Sequence, residues 1–293
     1  MVAFVILHYM ALEETIACVE SILNNIEGEK KIVVVDNASP NGSIDGLRKK
    51  YDVNPDVDVV ETGENLGFAK GNNIGYKFAV DKYSPEFIVV MNNDMEITQK
   101  EFINGIFKSY EDYQYFIMGP DVYSTKKKYH QNPQTRPKPT EEEVRIKHRS
   151  YWIKDKLKFL FPVKWWVVDH FKKQKIDIHQ YDKRPFVQEV VINPLLHGSC
   201  YVFSPLFIEK HREECFYNKT FMYMEAEILY YQAIRDGEKM IYYPFIHVDH
   251  HEDVATDSTY KKQYKKSVFS VECMLQSTGA YLELIETDKK KKQ

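Results

Sequence analysis

Three apolar runs in this chain each stop at side chains that can do chemistry. Phe87-Ile88-Val89-Val90-Met91 ends at Asn92-Asn93-Asp94, Lys31-Ile32-Val33-Val34-Val35 ends at Asp36-Asn37, and Phe245-Ile246-His247-Val248 runs into Asp249-His250-His251-Glu252. A continuous apolar run of five reads as a strand buried on both faces, so its polar neighbours sit at the carboxyl end, where open α/β sheets bind ligands. A carboxylate held there, such as Asp94, suits a hard divalent cation, Mg²⁺ or Mn²⁺, that keeps water and substrate phosphates as its other ligands. An ordinary Asn/Asp turn after a strand accounts for the same residues.

Other candidates lie outside these runs. Glu225 and Glu227 fall at the amino terminus of a helix expected to run to Gly237, where the macrodipole favours the ionised form. His8, beside Tyr9 at the end of the first apolar run, can stack on or bond a nucleotide, or can be a satisfied strand-end histidine. His247, His250 and His251, with Asp249, Glu252 and Asp253 nearby, also permit a zinc site, although no cysteine is close and the spacing matches no zinc finger or H-E-x-x-H pattern.

The elements that position these residues are legible from periodicity. Val2 to Leu7 is a buried strand, and Leu12, Ile16, Val19, Ile22, Leu23 and Ile26 make one face of a helix that ends near Gly28. Strands follow at Lys31 to Val35 and Val57 to Glu61, with a cluster of turn formers between. Strand and helix alternating through short connections predict a parallel sheet covered by helices. Gly67, Gly71 and Gly75, four apart, form a row of small residues that lets a helix approach a sheet or a ligand closely; their spacing is neither a P-loop nor G-x-G-x-x-G. Strands or strand-like runs are expected again at 116–120, 190–192, 197–205, 240–243 and 245–248.

Composition excludes several classes. In 293 residues, 40 Lys+Arg face 43 Asp+Glu, so no overall field argues for nucleic acid. Cys18, Cys200, Cys215 and Cys273 are widely spaced, as reduced thiols are in a cytosolic protein. The first ten residues enter a strand with no basic leader, and no apolar stretch is long enough for a membrane span. The stretch from about Tyr123 to Asn193 differs in character. Between Arg145 and Lys175 ten Lys/Arg face two Asp, threaded with Trp152, Phe159, Leu160, Phe161, Trp165, Trp166, Val167, Val168 and Phe171. Such a stretch can be a helical insertion packing its apolar face on the domain, the commoner use, or can lie in an anionic bilayer interface.

Taken in order, Asp36-Asn37-Ala38-Ser39, Asn65-Leu66-Gly67-Phe68-Ala69 with Gly71-Asn72-Asn73, Asn92-Asn93-Asp94 and Val248-Asp249-His250-His251 resemble the motif series of family-two glycosyltransferases. The resemblance is nearest to the rhamnosyltransferase-like branch of bacterial surface polysaccharide synthesis, and it covers residues 3–122 and 195–252. It implies a GT-A fold, a mostly parallel central sheet covered by helices, with the basic-aromatic stretch as a helical insertion. It also implies an inverting transfer from a UDP- or dTDP-linked sugar, rhamnose among the candidates, to a glycan or lipid-linked acceptor hydroxyl. By the family's pattern Asp36 bonds the nucleobase, and His8, Tyr9, Asn37, Asn65, Gly67, Lys70, Asn72, Asn92 and Asn93 belong to the nucleotide-sugar side. Asp94 binds Mg²⁺ or Mn²⁺, with His250 a further ligand. The chain departs from the pattern at Ala226, where an aspartate usually serves as base, which leaves Glu225 as first choice and Glu227 as second. It departs again at Asn92, where many relatives have an aspartate.

On this reading residues 1–255 form a single catalytic domain: a nucleotide-sugar half over 1–122, an insertion over 123–192 and an acceptor half over 193–255. A helix over 256–285 and a disordered tail over 286–293 follow. The expected location is the cytoplasm, with a peripheral place on the inner face of the membrane through residues 145–175. Two rival readings are a non-catalytic sugar-nucleotide or glycan binding module and a nucleotidyltransferase; the latter lacks its Gly-rich loop after the first strand.

Overall fold

The computed structural model describes residues 1–136, 138–171, 186–252 and 263–292. The first strand shows how the sheet is built. In β1 (Val2–His8), Val2, Phe4 and Ile6 face one core and Ala3 and Val5 face the other, so every apolar position is used. β2 (Lys30–Asp36), β3 (Val57–Glu61) and β4 (Phe87–Asn92) repeat the pattern, and β3-β2-β1-β4 pair in parallel. β5 (Met95–Glu96), β6 (Ile117–Ser124), β7 (Tyr129–His130), β8 (Val191–Ile192), β9 (Cys200–Phe203) and β10 (Met240–His250) complete a mixed sheet. Its order is β3-β2-β1-β4-β9-β6-β10-β5, with β7 on β6 and β8 on β10. β9 runs antiparallel between β4 and β6, and β10 runs parallel to β6, so the carboxyl ends of β1, β2, β4, β6 and β10 reach one edge.

One layer of helices is formed by α1 (Leu12–Asn25), α2 (Ser43–Tyr51) and α4 (Phe102–Tyr113). The other is formed by α3 (Gly67–Tyr83), α7 (Pro205–Lys210) and α8 (Glu225–Asp236). The glycine row lets α3 lie flat on the sheet: a Cβ at Gly75 would stand 2.5 Å from Val5 Cγ1 and 2.6 Å from Val35 Cγ2, and one at Gly71 would stand 2.6 Å from Leu7. The two runs read separately at 240–243 and 245–248 are one strand, β10, with an irregularity in register between Tyr243 and His247 around Pro244.

The basic-aromatic stretch contributes α5 (Glu141–Lys156), a short 3₁₀ turn over Lys158–Leu160 and α6 (Phe161–Phe171). Thr140 and Glu143 form a capping box at the start of α5. The last helix, α9 (Gln263–Lys292), packs along α5. A third apolar cluster joins Val144 of α5, Ile228 of α8 and Met274, Tyr281 and Leu284 of α9. The apolar residues of the insertion divide between two environments. Val144 is buried in this cluster, while Trp152, Phe159 and Trp166 are 51%, 70% and 58% exposed. The packing expected of the whole apolar face therefore leaves each of these three residues more than half exposed. Lys172, Lys173 and Lys175 lie outside the described residues. The tail expected to be disordered from 286 corrects to helix as far as Lys292. Asp288 is buried against Arg235 at 2.5 Å and Lys289 pairs with Glu141, and these ion pairs hold the last turns in place.

Candidate active site

The sheet's register brings the sequence candidates together. His8 pairs with Asp36 across β1 and β2, and Leu7 pairs with Asn92 across β1 and β4. Antiparallel pairing of β5 with β10 sets His250 opposite Met95, and the His251 N–H donates to the Asp94 carbonyl at 2.9 Å. Two strand ends far apart in sequence, 94 and 250, are thereby fixed side by side.

A cavity of about 750 Å³ opens along this edge. Tyr9, Asn37, Asn65, Gly67, Asn92 and Asn93 line it, as do Asp94, His250, Glu225, Ala226 and Glu227. Asn37 and Asn65 pin the loop before α3. The Asn37 amide donates to Asn65 Oδ1 at 3.1 Å and its Oδ1 accepts from the Leu66 N–H at 2.9 Å, while Asn65 Oδ1 accepts from the Gly67 N–H at 3.0 Å. Gly67 is required there, since its φ is +77° and a Cβ would fall 2.2 Å from the Phe221 carbonyl oxygen.

Four expected nucleotide-sugar residues are not on the cavity wall. His8 is fully buried, with Nδ1 on Thr15 at 2.7 Å and Nε2 on Ser43 at 2.8 Å, and burial lowers its pKa against the opposing pull of Asp36. Of the two roles open to it, the satisfied histidine is the one observed. Asn72 turns inward to the Phe68 carbonyl, and Lys70 is exposed on α3 away from the cavity. Asp36 is buried behind the wall: Oδ2 accepts from the Ser39 N–H at 3.2 Å, and Oδ1 is buried with no hydrogen-bond partner.

Asp94 and His250 are linked to Gln131, Glu252 and Lys127, of which sequence reading missed Gln131 and Lys127. Glu252 is buried, which pushes its pKa up, but hydrogen bonds from Lys127 and Ser124 outweigh burial and hold it below the usual value. Lys127 Nζ lies 2.6 Å from Glu252, and the Gln131 amide donates to Glu252 at 2.7 Å. The Gln131 carbonyl oxygen then faces His250 Nδ1 at 2.6 Å, so Nδ1 is the donor. In the neutral ring His250 Nε2 keeps its lone pair, 3.4 Å from Asp94 Oδ1, an oxygen buried without a hydrogen-bond partner. Such a pair is bridged by a proton on Nε2 or by a metal ion, and an imidazole oriented through its other nitrogen is the usual form of a metal ligand. A carboxylate and one imidazole fit a divalent ion that takes its remaining ligands from water and substrate phosphates. The other histidines diverge: His247 turns to Asp121 at 2.7 Å and His251 to Glu96 at 3.0 Å. No group of three or more potential metal ligands occurs among the described residues, so the zinc alternative is not assembled there.

The two glutamates differ in their surroundings. Glu227 is buried and bound to Arg136 at 2.8 Å. Burial pushes the Glu225 carboxyl up to about 7, with Glu227 adding repulsion, against lowering hydrogen bonds from the backbone and Thr220. Its Oε1 has no hydrogen-bond partner. The turn that presents it is strained, with Tyr223 at φ 74° and Met224 at φ 71°. α9 braces that turn, since Ser277 donates to the Met222 carbonyl at 2.9 Å and Gln276 accepts from the Phe221 N–H at 3.1 Å.

Comparison with known proteins bears on this arrangement. The sequence profile described as glycosyl transferase family 2 matches residues 3–170, more than half of the chain. The chain belongs to this family. A curated relative, the low-salt glycan biosynthesis hexosyltransferase Agl10 of Haloferax volcanii, is 27% identical over 120 residues, which are 41% of this chain and 36% of that protein. The chain thus spans about a third of this relative's length. Among solved structures, S. aureus TarS 1-349 in complex with UDP-GlcNAc superposes with a TM-score of 0.52 at 13% identity, over 92% of this chain and 64% of that one. GalNAc-T7 with UDP, GalNAc and Mn²⁺ superposes at 0.56 with 12% identity, over 92% and 49%. At such identities the likeness establishes the fold, and with the family match that fold is GT-A. Among the described residues no helix is long and apolar enough to cross a membrane.

Proposed function

We propose that this family-2 protein is an inverting glycosyltransferase that moves a sugar from a nucleoside diphosphate to an acceptor hydroxyl in surface-glycan synthesis. One observation carries the reading: a single cavity holds both the facing acceptors Asp94 Oδ1 and His250 Nε2, 3.4 Å apart, and a glutamate, Glu225, raised to about 7. A divalent cation, Mg²⁺ or Mn²⁺, held by Asp94 and His250 would neutralise charge gathering on the departing diphosphate. Asp36 Oδ1, which has His8 Nε2 at 3.7 Å but no hydrogen bond, suits a donating nucleobase N–H, as in uracil or thymine, once the wall in front of it opens. Asn65 and Asn92 supply amides for the ribose and the sugar, while the Asn37 and Asn93 amides stay committed to Gly67, Asn65 and Thr15 and shape the wall.

Glu225 is the base. The acceptor oxygen forms its bond to the anomeric carbon as the bond to the diphosphate breaks, and the hydroxyl proton passes to Glu225. A carboxylate with a pKa near 7 is a stronger base than an ordinary one and is still substantially ionised at neutral pH. Glu227, the second choice from sequence, is committed to Arg136 and instead raises its neighbour by repulsion. The hexosyltransferase relative makes a hexose the first donor to test and rhamnose the second. The exposed Trp152, Phe159 and Trp166, among Lys154, Lys156 and Lys164, support peripheral contact with an anionic membrane bearing a lipid-linked acceptor.

The test is release of UDP or dTDP from a panel of their sugars in Mn²⁺, with and without glycan acceptors. Turnover in the native chain, reduced about 10²-fold or more in Glu225→Gln, is the expected result. Ala226 favours a second reading, a non-catalytic binding module, which predicts donor binding with no release at any pH.

A further inference from the structure

The catalytic cavity does not end at Glu225 and Glu227. A second cavity of about 520 Å³ adjoins it, and Arg136, Lys147, Tyr151, Met224 and Glu227 border both. Its far wall is one face of α5, where Val144, Lys147, Tyr151 and Lys154 recur at spacings of three, four and three.

The charges on this wall are unbalanced. Lys147 Nζ donates to Met224 Sδ at 3.6 Å, and among the described residues neither Lys147 nor Lys154 has a carboxylate at ion-pair distance. Lys154 Nζ stands 4.5 Å from the Tyr151 ring centre. Of the two acids of the groove, Glu227 is paired with Arg136, and Glu143 accepts from the Thr140 N–H at 2.8 Å while keeping its charge, so three cations face two carboxylates. Seven helical residues separate the lysines, about 10 Å at the usual rise, so the groove can follow more than one sugar ring. Tyr151, partly buried against the third apolar cluster and with Lys154 over its ring, gives the groove a partly exposed aromatic side chain with positive charge on either side of it.

We propose that this groove is the acceptor site and that it selects a saccharide carrying a negative group, a phosphate or a carboxylate, through Lys147 and Lys154, with a sugar ring against Tyr151. The inference rests on the transferase reading, because Glu225, on the wall of the first cavity beside the shared Met224, is what makes an adjoining groove the acceptor side. Neither lysine takes part in proton transfer; they set which acceptor is held and where its hydroxyl lies.

The test uses the full chain with UDP and Mn²⁺ present, titrated at low salt with glucose, glucose 6-phosphate and glucuronate and followed by ligand-observed NMR. The charged sugars should bind about tenfold more tightly than glucose. The preference should vanish in Lys147→Gln/Lys154→Gln and persist in Lys147→Arg/Lys154→Arg; Lys154→Gln alone, on the second cavity only, should weaken the preference with UDP affinity unchanged. Preference for the phosphate alone points to a phosphate-bearing acceptor, and preference for both charged sugars to anionic glycans in general. Equal binding of all three sugars, or a preference that survives loss of both charges, overturns the proposal. Failure of UDP to bind while the lysine-dependent preference remains contradicts the donor site and not the anion selectivity of the groove.

Discussion

Glu225 and Glu227 are two residues apart, yet only the first has the surroundings of a base. Because burial dominates and lifts Glu225 to about 7, the group is largely protonated below that pH and ionised above it. A step that needs the ionised form gains rate as pH rises through about 7, the opposite of what an acid in that role would give. Initial rates across about pH 5.5 to 8.5 should trace this rise, and Glu225→Gln should lower kcat by about 10² to 10⁴ with nucleotide binding retained. A flat profile, or a Gln variant with native kcat, would exclude Glu225 as the base. Gln131 is a positioning residue. Gln131→Leu leaves Glu252 and His250 without the bridge that fixes the imidazole, and Mn²⁺-dependent UDP binding should weaken about 10- to 100-fold. An unchanged Mn²⁺ dependence would show that the relay does not orient His250.

The elements test the packing argument. Gly75→Ala puts a methyl 2.5 Å from Val5 and 2.6 Å from Val35, and β1 and β2 are too central to move aside. The expected loss is about 1 to 3 kcal/mol, read as a lowered Tm; a Tm equal to that of the native chain would mean α3 is not held against the sheet as described. Strands and helices of the first 120 residues were readable because each apolar run has one period and a clear stop, and Asp94, Asn93 and His250 were readable as the polar ends of such runs. Lys127, Gln131 and Arg136 were not, since they lie in an aperiodic, proline-broken stretch and acquire their places only by pairing with Glu252, His250 and Glu227. Asp288 and Lys289 were similarly hidden: a lysine-rich end looks solvated until Arg235 and Glu141 are seen beneath it.

At the scale of the whole molecule, the insertion links the catalytic edge to the outside. α5 gives one face to the groove beside Glu227, and beyond it the chain exposes Trp152, Phe159 and Trp166 with lysines between them. The full chain should sediment with vesicles containing phosphatidylglycerol, more weakly at high salt, and Trp152→Ser/Phe159→Ser/Trp166→Ser should abolish this without lowering UDP affinity. No binding to such vesicles by the native chain would remove the membrane role. Everything else in the account depends on the cavity being a metal-dependent nucleotide-sugar site. The most direct measurement is calorimetric titration of the full chain with UDP and dTDP, with and without Mn²⁺, beside Asp94→Ala. The account predicts binding of at least one nucleotide that requires Mn²⁺ and is lost in Asp94→Ala. Binding of neither nucleotide under any metal condition, or equal binding by the Asp94→Ala protein, would contradict it.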